Sequence, residues 1–403
     1  MRPTVLDFSI MIRRFRVQNY KALRDVTVDL TPMHVLIGPN DSGKTSIIEA
    51  LAALCRSVDH RLTDAFLGRW EGRRLARHGD SDGRISLSIE AALGDQKLSY
   101  LLVCRFHPTS REATIDDERL VDSKSFDWRQ TGHNYSRVCR IIVHGEQMSD
   151  DHKQAAKMVH DVLAGAQVYR WAPNLLALPV APDAKRRFRM ETSGFGLALL
   201  LDDILGYDRK RFTDLEDRFR AVFPQVRSIK LIPEMAYRAP VDDPEQTPLL
   251  ERRDGKGLYF EFVESHQDIS AAQVSDGVLL VLAYLAVMYV PQPPRVLLVE
   301  EPENGIHPKR LGDVLGILRQ IVQEQKYTQV LMTTHSPYVL DQFKPEEVTL
   351  CRKENDGSVS VHRLSESKAV REQLDVFTLG EIWTAEGDEA LAGGTTQQQE
   401  AIP

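Results

Sequence analysis

Apolar and polar positions alternate along residues 12–37. Ile12, Phe15, Val17, Leu23, Val26, Val28 and Leu30 recur between polar neighbours, and the apolar run MHVLI (33–37) closes the stretch. A period of two predicts strands. The period then changes: Ile47, Ile48, Leu51, Leu54 and Cys55 share one face of a helix. RISLSIEAAL (84–93) and KLSYLLVCRF (97–106) read as two strands turned by Gly94 and Asp95. From 107 to 265 the pattern weakens, and mostly helices are expected, over 150–165, 196–206 and 211–223, the last closed by Pro224. The last third alternates again. A strand is expected at 258–263, an apolar helix at 278–290, a strand at 295–299 and a strand at 329–333. The helix expected at 308–323 carries Leu311, Val314, Leu315, Leu318, Ile321 and Val322 on one face. Two short strands, 347–352 and 358–363, flank Asn355-Asp356-Gly357, a hairpin signal.

This order predicts an α/β protein. Its expected parts are a flexible leader (1–10, with Met11 a second start), an α/β part (11–110), an inserted mainly helical lobe (111–265), a second α/β part (266–365), and a short helix with a disordered tail (366–403), rich in Gly, Thr and Gln from 386. The chain has 403 residues, enough for two or three domains. It carries 51 Lys and Arg against 58 Asp and Glu, a net charge of −7, which excludes a wholly basic nucleic-acid binder but not a local basic groove. With 42% hydrophobic and 27% charged residues it is globular in composition. The four cysteines (55, 104, 139, 351) lack metal-ligand spacing, so a reducing, cytoplasmic compartment is expected. The apolar run at 278–290 is thirteen residues long, short of the ~20 that cross a bilayer.

GPNDSGKT, Gly38 to Thr45, fits G-x-x-x-x-G-K-[ST] between an expected strand and an expected helix. Gly38, Pro39, Asn40, Asp41, Ser42, Gly43, Lys44, Thr45 and Ser46 are therefore candidate phosphate-binding residues. The glycines let backbone N–H groups wrap an anion at a helix N-terminus. Lys44 would reach the β- and γ-phosphates, and Thr45 offers its hydroxyl to Mg²⁺. Downstream, RVLLVEEPENGIHP (295–308) brings Glu300 and Glu301 to a strand end. Glu300 would hold Mg²⁺ through water, and Glu301 would orient or deprotonate the attacking water. An Asp is commoner at the position of Glu300. QVLMTTHSPYVL (329–340) puts His335 just past a strand, within reach of a γ-phosphate, with Ser336 as N-cap and Pro337 at N1. Ser275 and Gly277 open the apolar helix and offer a hydroxyl and N–H groups to a phosphate.

Four motifs in this order resemble the ABC-type ATPase heads of the SMC/RecF/OLD group, OLD-like AAA ATPases included, over about 12–110 and 195–365. The carriers are RRFRVQNYKALRDVTVDL, the phosphate loop, VSDG, EEPENGIHP and TTHSP. The resemblance implies a P-loop NTPase fold, an ABC-type head with a mixed sheet, in which two heads sandwich two ATPs. Gly38, Asn40, Ser42, Gly43, Lys44, Thr45 and Ser46 would bind nucleotide in cis. Ser275 and Gly277 would cap the γ-phosphate in trans. Glu301 would be the catalytic base and His335 the γ-phosphate sensor. Glu303, Asn304, Gly305 and His307 would meet the partner head. Gln96 is a poor candidate for the glutamine that watches Mg²⁺. Thr45 and Ser275 are 230 positions apart, room for a lobe but not for an SMC arm. An OLD nuclease would carry a TOPRIM domain after His335, where 68 residues remain with no Asp-x-Asp, so nuclease activity is expected on a separate chain.

The expected cofactors are ATP and Mg²⁺. A homodimer around ATP is expected, with double-stranded DNA and a separate nuclease or effector protein as candidate partners and no membrane. Repair or anti-phage defence follows from the resemblance alone. The basic clusters at 69–78, 185–189 and 209–211 could line a DNA groove or be solvated surface. Two other readings share the motifs. A transporter's nucleotide-binding subunit is disfavoured by VSDG, EEPE and the long insert. A scaffold that binds ATP without hydrolysing it is disfavoured by the presence of Glu301 and His335.

Overall fold

The computed structural model describes residues 11–66, 72–77, 82–93, 96–107, 112–122, 127–182, 187–238, 249–265, 267–325 and 327–393. The expected leader 1–10 and the Gly94–Asp95 turn lie outside them. Strands β1 (Met11–Tyr20), β2 (Leu23–Asp29) and β3 (Met33–Ile37) open the chain. In β1 the buried Phe15 and Val17 alternate with exposed Arg14 and Arg16. A register shift between Ile12 and Arg14 lets Ile12 face inward as well. Helices α1 (Lys44–Arg56) and α2 (Leu62–Ala65) follow. Then come β4 (Arg84–Leu93), β5 (Gln96–Phe106), β6 (Ala113–Asp122) and β7 (Asp127–Gln130). Six strands form an antiparallel sheet in the order β2-β1-β4-β5-β6-β7.

Next are α3 (Arg137–Ile142), α4 (Asp150–Leu163), β8 (Gln167–Tyr169), α5 (Pro173–Leu176), α6 (Leu197–Tyr207) and α7 (Arg209–Val222). A second antiparallel sheet joins β9 (Val226–Arg238), β10 (Leu249–Phe262) and β11 (Asp268–Ser270), with β10 in the middle. Helix α8 (Asp276–Tyr289) is buried on every side from Val278 to Met288, and each of its Leu and Val side chains contributes about 1.5–3 kcal/mol. Strand β12 (Val296–Glu300), helix α9 (Pro308–Glu324) and strand β13 (Gln329–Thr333) follow. The chain closes with α10 (Pro337–Leu340), β14 (Val348–Lys353), β15 (Val359–Arg363), α11 (Lys368–Gln373) and α12 (Leu379–Leu391). Among the described residues no helix is long and apolar enough to cross a membrane.

The chain divides into two compact units. One comprises residues 1–167, 294–298 and 326–403; the other comprises 168–293 and 299–325. The first holds the six-stranded antiparallel sheet and a mixed sheet in which β15, β14, β3 and β13 lie side by side. There β3 runs parallel to both β13 and β14, and β15 is antiparallel to β14. All five side chains of β3 are buried, which requires both faces of the sheet to be covered there. His34 is among them. Burial pushes its pKa down to about 3, and its neutral ring lies 2.9 Å from Thr349 Oγ1 and 3.2 Å from Thr31 Oγ1.

Two expectations are corrected. The stretch 111–265 is mixed, since β6, β7, β9 and β10 stand among its helices, and the strand expected at 258–263 is the end of the longer β10. Strand β6 is masked by its charges. Asp116 pairs with Arg105 at 2.7 Å, Asp117 with Arg129 at 2.9 Å, and the buried Glu118 accepts from the Tyr100 hydroxyl at 2.9 Å. The tail is ordered past residue 386, through α12, whose Leu391 is buried. A reciprocal cap starts that helix: Thr378 Oγ1 accepts from Glu381 N–H, and the Glu381 carboxylate accepts from Thr378 N–H at 2.9 Å. Residues 394–403 lie outside the described ones.

Candidate functional site

The phosphate loop begins where the buried β3 ends and closes at the first residue of α1. Two glycines are required by space as well as by conformation. Gly38 has φ +136°, and a Cβ there would sit 2.2 Å from the Cys351 carbonyl oxygen. Gly43 has φ +88°, and a Cβ there would sit 2.6 Å from Val359 Cγ2. The loop therefore lies directly against the β14–β15 hairpin. Asp41 adopts φ +67° without being glycine, and its exposed carboxylate pairs with Lys353 of β14. Lys44 is only 6% exposed. Its ammonium donates to the Gly38 and Pro39 carbonyl oxygens at 2.7 and 2.8 Å and lies 3.5 Å from Ser42 Oγ. Thr45 and Ser46 are half-buried, Pro39 and Asn40 exposed, and the first turn of α1 holds no acidic residue. Amides at a helix start, a lysine and hydroxyls make a donor set suited to an anion.

His335 belongs to the same unit. Thr333 of β13 pairs with Leu36 of β3, and Thr334 N–H donates to the Leu36 carbonyl at 3.0 Å. Because the strands are parallel, the chain reaches His335 and Gly38 at the same end of the sheet. His335 is exposed. Ser336 is the N-cap of α10 and Pro337 its first residue, as the sequence predicts, but the Ser336 side chain makes no capping bond. Instead Ser336 N–H donates to Thr334 Oγ1 at 3.0 Å, which braces the segment on both sides of His335.

The other unit holds the acidic strand end and the start of α8. Glu300 ends β12, and both Glu300 and Glu301 are half-buried. Glu301 sits at φ +48°, a conformation that disfavours any residue but Gly, Asn or Asp. Asn304 holds it there. Its Nδ2 donates to Glu301 Oε2 at 2.6 Å, and its backbone N–H donates to the Glu301 carbonyl at 3.0 Å. His307 caps α9, its Nδ1 accepting from Lys309 N–H at 3.2 Å. Gly305 lies against α8: a Cβ there would be 3.5 Å from Asp276 Cβ and 3.4 Å from Leu280 Cδ1. Ser275 is the exposed N-cap of α8, with no side-chain cap bond, and a Cβ on Gly277 would meet nothing within 4 Å. Glu303, near the buried Tyr284, helps raise that phenol's pKa, which burial raises most.

The structure thus groups Gly38–Ser46 with His335 in one unit, and Glu300, Glu301, Glu303, Asn304, Gly305, His307, Ser275 and Gly277 in the other. Gln96 is the first residue of β5 and its side chain is not described. Of the basic clusters, Arg187 lies 3.6 Å from Asp203 and Arg211 3.8 Å from Asp208, while residues 69–71, 78, 185 and 186 are outside the described ones. Lys353 was not singled out by the sequence, and nothing in its local pattern marks it. Among the described residues no three His, Cys, Asp or Glu side chains cluster to hold a metal. Mg²⁺ held beside substrate phosphates needs no such cage, because it takes one or two protein ligands together with phosphate oxygens and water.

A family model described as "AAA domain, putative AbiEii toxin, Type IV TA system" matches residues 33–341. The chain belongs to this AAA family. An OLD nuclease of Thermus scotoductus is 20% identical over 400 residues, covering 94% of this chain and 70% of that protein. The DNA replication and repair protein RecF of Acidothermus cellulolyticus is 33% identical over 88 residues, covering 21% of this chain and 24% of that protein. A solved SMC head bound to the C-terminal winged-helix domain of ScpA has 14% identity and a TM-score of 0.49, covering 90% of this chain and 99% of that one. This AAA-family ATPase is similar in sequence to an OLD nuclease and to RecF, and its fold is mixed α/β with the phosphate loop between β3 and α1.

Proposed function

We propose that the chain is an ATP-binding and ATP-hydrolysing switch whose heads dimerise around ATP, serving DNA repair or anti-phage defence through a separate effector protein. The observation that supports this most is the phosphate loop itself. It is a lysine-bearing loop at the N-terminus of a buried helix, with His335 leaving the neighbouring parallel strand at the same sheet end. In this reading Gly38–Ser46 bind the triphosphate in cis, with Lys44 leaving the loop carbonyls for phosphate oxygens. Ser275 and Gly277, open at the start of α8, take the γ-phosphate of the partner's ATP. Glu301 accepts the proton of the attacking water, and His335 donates to the γ-phosphate. Thr45 and Glu300 would hold Mg²⁺, which supplies neutralisation of phosphate charge.

Each ATP then bridges two protomers, so loss of the γ-phosphate removes contacts on the partner's side and loosens the dimer. The test is ATPase rate and oligomer mass for the wild type and Glu301→Gln, each with and without double-stranded DNA. Expected are DNA-stimulated turnover in the wild type, and an ATP-trapped dimer with turnover reduced ~10²–10⁴-fold in Glu301→Gln. A wild-type chain that neither binds nor hydrolyses ATP would overturn the reading.

A further inference from the structure

We infer that Lys353 is a positioning residue of the nucleotide site, a charge-compensating latch that lets an acid stand in the middle of a phosphate loop. The inference rests on reading Gly38–Thr45 as the nucleotide loop. Asp41 lies midway along that loop, in the left-handed conformation, with 77% of its side chain exposed. A carboxylate there repels a bound triphosphate, whose several negative charges would lie within a few ångströms of the loop. The Lys353 ammonium pairs with that carboxylate.

The position of Lys353 is fixed by more than the pair. Leu350 of β14 is in register with Ile37 of β3, so the strand delivers residues 351–353 to the end of the sheet where the loop starts. The Cys351 carbonyl abuts Gly38, and Val359, across the hairpin, abuts Gly43. Lys353 and Val359 are directly paired in the β14–β15 ladder. One hairpin therefore touches the loop at its first glycine, at Asp41 and at its last glycine. The hairpin is itself pinned elsewhere: the Asp356 carboxylate at its tip lies 3.6 Å from Arg24 and 3.9 Å from Arg77, and Val359 N–H donates to the Ala22 carbonyl at 3.3 Å. A lysine on so constrained a hairpin loses little freedom in holding Asp41, unlike a lysine on a free surface.

Two properties follow. Lys353 acts through Asp41, so its removal matters only while Asp41 keeps its charge. The effect is also electrostatic, so it grows with the charge of the ligand and shrinks with salt. A purely structural brace would show neither property.

The experiment measures dissociation constants of ATP, ADP and AMP for the full chain at two ionic strengths. The variants are Lys353→Ala, Lys353→Arg, Asp41→Asn and Asp41→Asn/Lys353→Ala, with Lys44→Ala as control. Lys353→Ala is expected to weaken ATP binding ~3- to 10-fold at low salt, ADP less and AMP least, with the loss shrinking at high salt. Lys353→Arg should keep the affinity of the wild type, and Lys353→Ala should cost little when added to Asp41→Asn. If Lys353→Ala costs as much in the Asp41→Asn background as in the wild type, the latch is refuted, since Lys353 would then act on the nucleotide directly or on the fold. An equal loss for all three nucleotides refutes it as well. If the wild type binds no nucleotide, or Lys44→Ala binds as well as the wild type, it is the underlying nucleotide reading that fails.

Discussion

Thr334 donates its backbone N–H to the Leu36 carbonyl at 3.0 Å, across the junction of two parallel strands. Two residues beyond Leu36 the chain enters the phosphate loop at Gly38, and one residue beyond Thr334 it reaches His335. Strand register brings a lysine loop and an exposed imidazole to one sheet end. Both motifs inherit the rigidity of a buried strand. Functional groups on short segments after rigid strands keep their placement better than groups on long loops.

The close approaches of the two loop glycines lead to unequal outcomes. Gly38→Ala meets a backbone carbonyl of β14, which cannot turn aside, whereas Gly43→Ala meets a Val359 methyl. Both also force alanine into positive φ. Denaturant unfolding should show both variants destabilised, Gly38→Ala by several kcal/mol and Gly43→Ala by about 1–3 kcal/mol. Val359→Ala should recover part of the Gly43→Ala loss and none of the Gly38→Ala loss. Equal rescue of both would count against the packing described.

Asn304 is the prop of Glu301. Removing its amide in Asn304→Ala leaves the nucleotide loop untouched and frees the Glu301 carboxylate from a 2.6 Å hydrogen bond. With Glu301 in the proposed role of base, steady-state kinetics should show kcat lowered ~10-fold with ATP affinity unchanged, since displacing that base affects the chemical step alone. A rise in KM with kcat intact would remove Asn304 from this role.

Ser275 is exposed and makes no side-chain cap bond, so an arginine there should change stability by no more than ~0.5 kcal/mol. Ser275→Arg should bind ATP like the wild type, yet fail to form the ATP-dependent dimer and fail to turn over. Mass photometry with ATP, run beside a nucleotide titration, reads both. A dimer that still forms would exclude Ser275 from the partner's site.

His34 gives stability a pH dependence of definite sign. Its folded-state pKa is pushed down to about 3 by burial, below its ordinary value of 6.5. The unfolded chain therefore binds the extra proton as pH falls below about 6.5. The contribution is fully present above that pH and is lost progressively toward pH 3, by at most ~1.4 kcal/mol per pH unit. Urea midpoints between pH 5 and 8 should fall on the acid side. His34→Asn, less stable at pH 8 because it breaks the Thr349 and Thr31 contacts, should show a flatter slope. An unchanged slope would mean that other groups set the acid limb.

The most legible parts were those where local signals agree. The run Met33–Ile37, the glycine loop and the period of α1 each point to one structure, as do the strand and helix that flank His335. The Thr378–Glu381 capping box was equally present in the sequence, but the polar residues after 386 drew the reading away from it. Strands β6 and β9 were hidden for a different reason. Their charged side chains are satisfied across the sheet: Asp116 by Arg105 in one, and Lys230 by Asp268 and Glu261 in the other. Hydropathy does not record a partner on another strand. Lys353 meets Asp41 across 312 residues of sequence, a separation at which no spacing rule operates.

The threading of the mixed sheet has a consequence for the birth of the protein. The antiparallel sheet is assembled from residues 11–130, near neighbours that can pair soon after they leave the ribosome. Strand β3 emerges among them, yet both of its neighbours, β13 and β14, are made about 300 residues later. At elongation rates of about 5–20 residues per second that delay is roughly 15–60 s. For that interval an apolar strand and its glycine loop wait with bare edges, open to mispairing and to chaperones. The phosphate loop therefore waits for residues 348–363, and a nascent chain shorter than about 363 residues lacks the complete hairpin against which to set it.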